Sequence, residues 1–140
     1  MGKRILLAGG YGVVGAQVAR ILRSRHPEVE ILIGGRRLSE ATRLANEIGN
    51  ASGVVIDATA PQPLKQIDQI DAVGVFIHET DDHLLHEAAR RGIAYMDITR
   101  GWDALARAFA VGAFYDLTAP LLFSSHWMAG GPAIISRGLA

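Results

Sequence analysis

The chain contains no cysteine, only two lysines and no surplus of either charge. The missing cysteine excludes disulfides, thiolate nucleophiles and thiolate metal ligands. Because 14 basic residues balance 14 acidic ones, the composition gives no electrostatic support for nucleic-acid binding. No apolar run approaches the ~20 residues that span a bilayer, and the start MGKRILLAGG lacks the pattern of a cleavable signal. We therefore expect a cytoplasmic protein with neither nucleic acid nor membrane among its partners.

Hydrophobic residues make up 49% of the 140 residues and charged residues 20%, which is typical of one compact domain with a sizeable core. Short apolar runs alternate along the chain with segments of helical spacing. The predicted strands cover residues 4–9, 29–34, 53–59, 72–78, 93–99 and 119–125. The predicted helices cover 13–25, 40–49 and 83–92, with others around 102–109, near 64–70 and within 129–140. Ser39 and Asp82 are the predicted N-caps of the helices at 40–49 and 83–92.

The strict alternation of strands and helices with short links predicts an α/β fold. The predicted strands are nearly continuous apolar runs, as expected when helices cover both faces of a parallel sheet. Right-handed crossovers favour the strand order 3-2-1-4-5-6, which is that of the Rossmann fold. The sequence therefore predicts a doubly wound parallel sheet of about six strands.

A glycine pattern follows the first predicted strand. Residues 10–15 read Gly-Tyr-Gly-Val-Val-Gly, the G-x-G-x-x-G pattern in the strand-to-helix context that favours dinucleotide binding. In that role Gly10 permits the tight turn, Gly12 lets the backbone approach a pyrophosphate, and Gly15 lets the helix pack closely on the strand. The helix N-terminus adds N–H groups and a positive dipole end for the anion. The alternative is a glycine-rich turn without a ligand.

The second predicted strand ends in arginines, where NAD-binding chains usually carry an Asp or Glu for the ribose 2′-hydroxyl. The residues there are Gly34, Gly35, Arg36 and Arg37. Two guanidinium groups would pair with a 2′-phosphate, and one of them would also stack on the adenine. This pattern favours NADP(H) over NAD(H) as the cofactor. The alternative is two solvated arginines in a loop.

Asp57 and Ala58 end the third predicted strand, where the adenine edge would lie. The Asp57 carboxylate would either accept a hydrogen bond from the adenine amino group or cap the following turn. The sequence leaves both roles open.

Acidic and histidine side chains crowd the carboxyl end of the fourth predicted strand, in the segment HETDDHLLHE. Ligands bind at this edge of doubly wound sheets, so the segment is a candidate metal or acid–base site. His83 and His86 are three residues apart and would share a helix face. The capping role of Asp82 argues against a metal, and no metal site is predicted. His78 and Glu79 remain candidates for contact with the substrate or the nicotinamide ribose.

Three stretches of the chain resemble one protein family. ILLAGGYGVVGAQVARIL, ILIGGRR and EAARRGIAYMDIT are similar to the N-terminal NADP-binding domain of the saccharopine dehydrogenase (saccharopine reductase-like) family. The resemblance spans nearly the whole chain and is strongest in the first 60 residues and across 84–99. It implies an NADP(H)-binding domain of an oxidoreductase that positions the nicotinamide for hydride transfer.

The resemblance also implies roles for individual residues. Those that would line the diphosphate are Tyr11, Gly12, Val13 and Val14. Arg36 would take the 2′-phosphate, and the end of the fourth strand, at His78, would lie near the nicotinamide ribose. The family often has a small-residue or Gly-Pro turn there, whereas this chain has Phe-Ile-His-Glu-Thr at 76–80.

Members of this family usually continue into a substrate-binding and dimerisation domain. We therefore expect residues 1–125 to form the dinucleotide-binding domain and residues 126–140 to begin the connection to a further domain. His126, Trp127 and Met128 would contribute an interdomain packing surface. A small-molecule substrate is expected only with that further domain, a homodimer is a further expectation, and the chain alone is expected to be inactive.

The sequence does not identify catalytic residues. The glycines at 9, 12 and 15 also fit the pattern of short-chain dehydrogenases, which need a Tyr-x-x-x-Lys pair for proton transfer. The two lysines are Lys3 and Lys65, and the residues four positions after Tyr95 and Tyr115 are Thr99 and Ala119. That mechanism is therefore excluded. A non-catalytic NADP-sensing or structural module of the same fold remains the alternative.

Overall fold

Six parallel strands form one sheet in the computed structural model of the chain, which describes residues 2–124. The strands are β1 (Arg4–Ala8), β2 (Glu30–Gly35), β3 (Ala51–Val55), β4 (Ala72–Val75), β5 (Ala94–Asp97) and β6 (Leu121–Phe123). Their order across the sheet is β3-β2-β1-β4-β5-β6, and all neighbouring strands pair in parallel. The predicted Rossmann fold and its strand order are confirmed.

Helices follow most of the strands. They are α1 (Val13–Arg25), α2 (Leu38–Ile48), α3 (His83–Arg91) and α4 (Trp102–Ala110), with one 3-10 turn at Val111–Ala113. The helix predicted over 13–25 is confirmed with the same bounds. None of the helices in residues 2–124 is long and apolar enough to cross a membrane.

The core has two layers, one on each face of the sheet. Side chains alternate along a strand, so Leu6 of β1 joins one layer and Leu7 joins the other. The first layer packs β1, β4 and β5 against α3 through Leu84 and Leu85. The second layer packs β1 and β2 against α1 and α2. Burial on both faces explains why the strands read as continuous apolar runs.

The predicted N-cap at Ser39 is wrong. Helix α2 already begins at Leu38, and Arg37 occupies the capping position. The Arg37 N–H donates to the Tyr11 hydroxyl at 3.0 Å, so the chain turns two residues earlier than the predicted cap. Ser39 lies inside the first turn and is exposed.

The short helix predicted near residues 64–70 is also wrong, because the segment forms turns without a helix. Side chains of α3 bind the backbone groups that a helix would use. The Glu87 carboxylate accepts the Leu64 N–H at 2.9 Å. Arg91 donates to the carbonyls of Leu64, Ile67 and Asp68 at 3.0, 2.7 and 2.8 Å. The crossover from β3 to β4 is therefore held in an irregular conformation by a later helix.

Most strands are shorter than predicted or shifted by one or two residues. The segment predicted at 72–78 pairs only over Ala72–Val75, and the one predicted at 53–59 pairs over Ala51–Val55. Apolar residues that follow these strands, such as Ile56 and Ile77, pack against the core without joining the sheet. The predicted helical segment around 102–109 is confirmed as α4, although Trp102 and Phe109 are 72% and 69% exposed. The expectations for residues 126–140 lie outside the described part of the chain.

Candidate functional site

The turn between β1 and α1 carries the glycine pattern and is fastened to β2. The N–H groups of Gly9 and Gly10 both donate to the Gly34 carbonyl, at 2.8 and 3.1 Å. Gly9 has a φ of +79°, a conformation that side chains rarely adopt, so the turn depends on this glycine. Gly10 is buried beneath the turn. The turn therefore has a fixed position at the carboxyl edge of the sheet.

Helix α1 begins directly against this turn. A Cβ on Gly15 would overlap the Gly9 carbonyl oxygen and lie 2.8 Å from the Gly10 Cα, so only glycine allows this approach. A Cβ on Gly12 would meet only the Gly9 carbonyl oxygen, at 3.2 Å, and Gly12 has an ordinary φ of −69°. Gly15 therefore serves packing, as predicted, whereas Gly12 leaves its backbone open to approach from the cavity.

The N-terminus of α1 lies beside this open space. Gly12 is the capping residue, and no side chain in the described structure caps the helix. The first N–H groups of a helix have no partner within the helix, and its dipole is positive at this end. Val13 and Val14, the first two helical residues, are exposed but do not line the adjacent cavity. The chemistry here is therefore that of backbone groups suited to an anion.

The end of β2 places two arginines beside the glycine turn. Gly35 is buried, and Arg36 and Arg37 after it are exposed. Within residues 2–124 neither arginine forms a salt bridge. The Arg37 guanidinium carbon lies 5.6 Å from the centre of the Tyr11 ring. This edge of the cavity is positively charged and carries no carboxylate at the end of β2.

Asp57 and Ala58 follow β3 and form the next part of the wall. The Asp57 carboxylate accepts hydrogen bonds from the Thr59 hydroxyl at 2.7 Å and the Thr59 N–H at 3.0 Å. These bonds, first the hydroxyl and then the N–H, hold the pKa of Asp57 below its usual range, with a smaller contribution from Arg36. Of the two roles left open by the sequence, the structure contains the turn-capping one.

These segments enclose one cleft of about 850 Å³ at the carboxyl ends of β1, β2, β3 and β4. Eight of the predicted cofactor-binding residues line it: Tyr11, Gly12, Gly35, Arg36, Arg37, Asp57, Ala58 and His78. The other four do not: Gly10, Val13, Val14 and Gly15. Sequence reasoning missed five lining residues, all next to predicted ones: Gly9, Ile56, Thr59, Phe76 and Ile77. Only their position in the sequence could have identified them, since each follows a strand at the same edge of the sheet.

A second cleft, of about 950 Å³, lies at the opposite edge of the sheet. It is lined by residues at or just before the starts of β1 to β5, with basic and acidic side chains mixed, among them Lys3, Glu28, Asp71 and Arg91. Several of these charges already pair with each other, as Lys3 does with Asp71 at 3.2 Å. Ligands of doubly wound folds bind at the carboxyl edge, so the first cleft is the candidate site.

Beyond β4, two residues of the charged segment predicted as a candidate site, Glu79 and Asp82, belong to a buried network with Tyr95, Asp97 and Arg100. Arg100, which is 4% exposed, contacts all three of its carboxylates, those of Glu79, Asp82 and Asp97. The Tyr95 hydroxyl lies 2.9 Å from Asp97 Oδ2 and 3.1 Å from Glu79 Oε2. Burial raises the pKa of the Tyr95 hydroxyl far above its ordinary value, and the nearby carboxylates add to this. The group is a structural ion cluster on the evidence of its burial and pairing.

Asp82 occupies the predicted N-cap position of α3, but its side chain makes no capping hydrogen bond. Asp82 has a left-handed φ of +58°, and its carboxylate binds Arg100 and Arg107 and makes no capping bond. The Glu79 carboxylate instead accepts the Leu84 N–H at the start of the helix. Glu79 is therefore buried away from the cleft, while His78 faces it.

The two histidines of α3 differ in their hydrogen bonding, since the buried Nδ1 of His83 has no partner among the described residues. His86 Nδ1 lies 3.1 Å from the Tyr115 hydroxyl, and both rings are partly buried. Within residues 2–124 no group of three or more histidine or acidic side chains is arranged to hold a metal ion.

Comparison with known proteins supports the fold. No protein family model matches the chain, and no curated protein matches it. A Rossmann-fold NAD(P)-binding family protein from Shigella flexneri has a TM-score of 0.67 at 14% identity, covering 88% of this chain and 67% of its own. Saccharopine dehydrogenase (L-Glu forming) from Saccharomyces cerevisiae has a TM-score of 0.60 at 21% identity, covering 76% of this chain and 24% of its own.

A short-chain dehydrogenase/reductase from Veillonella parvula, in complex with NADP, has a TM-score of 0.61 at 18% identity, covering 88% of this chain and 69% of its own. At such identities the similarity shows the Rossmann fold alone. The chain spans about a quarter of the length of the saccharopine dehydrogenase that it resembles.

Proposed function

We propose that the chain is an NADP(H)-binding domain of an oxidoreductase. The observation that carries this proposal is the convergence of two anion-binding features on one cleft. The glycine turn with the α1 N-terminus forms one side, and Arg36 and Arg37 form the other. A dinucleotide with a 2′-phosphate carries anionic groups for both.

The glycine turn would hold the pyrophosphate. Backbone N–H groups at the start of α1 would donate to its oxygens, and the open surface at Gly12 allows that approach. Tyr11 would line the same stretch of the cofactor. Gly15, buried behind the turn, would contribute by keeping α1 against it.

Arg36 and Arg37 would bind the 2′-phosphate. Both side chains are exposed at the cleft without a protein carboxylate paired to them in the described structure, so their charge is available to a ligand. Hydrogen bonds between charged groups are stronger than those between neutral ones. Without a carboxylate at the end of β2, NADP(H) is favoured over NAD(H).

The adenine would lie beside Asp57 and Ala58, and the nicotinamide ribose beside His78. One oxygen of Asp57 is already bonded to Thr59, so the first role of Asp57 is to shape the turn, and the residue also lines the cleft. When bound, the nicotinamide would supply hydride-transfer chemistry, and the chain would hold and orient it.

The finer proposal is a saccharopine dehydrogenase-like oxidoreductase with a substrate domain beyond residues 1–125. The resemblance of the three sequence stretches supports it, together with the fold shared with saccharopine dehydrogenase. The competing proposal is a non-catalytic NADP-sensing module. The buried state of Glu79, which removes one candidate acid–base group from the cleft, favours that module. Steady NADPH consumption by this chain with an added imine or keto acid, absent in Gly12→Val, would refute the non-catalytic module and also the expectation that the chain is inactive without a further domain.

A fluorescence titration with NADPH and NADH tests the proposal. We expect NADPH to bind about tenfold more tightly, since ion-assisted hydrogen bonds to the 2′-phosphate are lost with NADH. Arg36→Ala should lose most of that preference. Arg25→Ala, an exposed arginine at the far end of α1, is the matched control and should keep it. Equal affinities for the two dinucleotides, or an unchanged Arg36→Ala variant, would refute NADP(H) binding at this site.

A further inference from the structure

The Tyr11 side chain joins the two turns that form the cleft. Its hydroxyl accepts the Arg37 N–H at 3.0 Å, and the Arg37 guanidinium carbon lies 5.6 Å from its ring centre. Its ring lies directly on Gly35, where a Cβ would be 2.6 Å from the Tyr11 Cζ. A residue of the β1–α1 turn therefore contacts three successive features of the β2–α2 turn: the flat glycine surface, the backbone of Arg37 and its guanidinium.

The bond to the Arg37 N–H takes the place of a helix cap. Arg37 is the capping residue of α2, and no side chain of that helix bonds its N–H. Glu40, three residues later, is the position that fills this role in a capping box. Its carboxylate instead pairs with Arg43 at 2.9 Å. The start of α2 is consequently tied to the glycine turn by Tyr11.

We propose that Tyr11 is a positioning residue for the 2′-phosphate of the dinucleotide, an inference that rests on the proposed function. By holding the β2–α2 turn against the glycine turn, Tyr11 fixes Arg36 and Arg37 at a set distance from the pyrophosphate site. Arginines held in place before binding lose less conformational freedom when the ligand binds. Gly35 is part of this device, because any side chain there would displace the Tyr11 ring.

This role differs from that of a simple structural brace. A brace would affect the stability of the domain and the binding of every adenine nucleotide to the same degree. A positioning residue for the arginines affects ligands with a 2′-phosphate more than ligands without one. The informative measurement is therefore the ratio of the dissociation constants for ligands with and without a 2′-phosphate. The melting temperature is measured beside it to report on stability.

The test is Tyr11→Phe, which removes the hydroxyl and keeps the ring on Gly35. Adenosine 2′,5′-bisphosphate and adenosine 5′-monophosphate are the probes, since they differ only by the 2′-phosphate. We expect the ratio of their dissociation constants to fall about fivefold, the loss of one hydrogen bond. Tyr115→Phe is the matched control: its hydroxyl contacts His86, away from the cleft, and it should keep the wild-type ratio.

Repeating the Tyr11→Phe substitution in a variant without the two arginines shows whether Tyr11 acts through them. With Arg36→Ala and Arg37→Ala already in place, Tyr11→Phe should leave the remaining ratio unchanged, because no guanidinium is left to position. A further fall in that background would contradict the proposal. So would a wild-type ratio in the single variant, even with a lowered melting temperature.

The wild-type chain separates this inference from the proposed function. If it binds the bisphosphate better than the monophosphate and Tyr11→Phe does not alter that preference, only the positioning role is wrong. If the wild-type chain shows no preference for the 2′-phosphate, the proposed NADP(H) function is wrong and the positioning role with it.

Discussion

The arginines at the two halves of the sheet's carboxyl edge differ in exposure and in pairing. Beside β1, β2 and β3, Arg36 and Arg37 stand exposed at a cleft, with no protein carboxylate paired to them in the described residues. Beside β4 and β5, Arg100 is 4% exposed and contacts three carboxylates. The arginine is the same side chain in both places, but its surroundings differ completely.

This difference distinguishes charges kept for a ligand from charges used to build the fold. An exposed arginine without a bound anion lowers the stability of the domain little, because water solvates its charge. A buried arginine is tolerated only with its carboxylates in place, and removing one partner leaves the others uncompensated. Clustered charge near a cleft is therefore weak evidence of a binding site unless the charges also face the cleft.

The largest effect expected from this comparison is on stability. Arg100→Met should lower the free energy of unfolding by about 3–5 kcal/mol, because three buried carboxylates would lose their common partner. Arg36→Met is the matched control and should change stability by less than about 0.5 kcal/mol, as exposed substitutions usually do. Urea unfolding of both variants measures the contrast. Similar losses in the two variants would mean that the two arginines do not differ as described.

The next effect separates two glycines of one turn. Gly15→Val should lower the free energy of unfolding by about 1–3 kcal/mol or more, because its side chain would enter the backbone at Gly9 and Gly10. Gly12→Val should be milder, since Gly12 has an ordinary φ and one near neighbour.

In Gly12→Val the expected loss is of NADPH binding, because the new side chain would occupy space beside the pyrophosphate. Thermal melting and NADPH titration of both variants give the two readouts. Normal NADPH binding by a folded Gly12→Val variant would show that the glycine pattern forms a turn and has no role in binding the dinucleotide.

The smallest expected effect is on the pH dependence of stability, and it arises from Glu79 in the buried charge network beside β4 and β5. Burial raises the pKa of the Glu79 carboxyl above its usual range, against the opposing hydrogen bonds from Leu84 and Tyr95. Relative to the unfolded chain, the folded state therefore shifts the protonation equilibrium of Glu79 toward the acid. A raised pKa contributes stability below the unfolded value of 4.5, and this contribution is lost as the pH rises through the folded value.

Glu79→Gln keeps a neutral side chain with an oxygen for the Leu84 N–H. The stability of wild type relative to this variant should therefore fall as pH rises from 4.5, by about 1.4 kcal/mol for each unit of pKa shift. Urea unfolding of both proteins across a pH series measures the difference. A difference that grows with pH would show that the carboxylate, rather than the acid, is the form the fold prefers.

Much of the fold and part of the site were predictable from local patterns. The bounds of α1, the strand order and eight cleft-lining residues follow from periodicity, short links and the rule that ligands bind at strand ends. The paired arginines needed no structure to be noticed, because both follow one strand. Their binding role stays a prediction.

The errors share a physical cause, which is contact between residues far apart in the sequence. Arg100 lies 18 residues from Asp82 and 21 from Glu79, so no spacing rule assigns Asp82 to an ion pair instead of a cap. Tyr11 lies 26 residues from Arg37, whose N–H it binds at the start of α2. Local patterns give the elements, whereas the partner of each polar group depends on how the elements pack.

The irregular crossover between β3 and β4 has a consequence for the order of folding. It joins the two halves of the sheet, and the bonds from Glu87 and Arg91 that hold it come from 23 to 27 residues further along the chain. Its turns therefore gain these bonds only when α3 docks, so the loop-closure entropy is lost in the same step. Amide exchange at Leu64 should accordingly follow the opening of α3 rather than that of β3. Glu87 and Arg91 thereby couple the ordering of the crossover to the docking of α3.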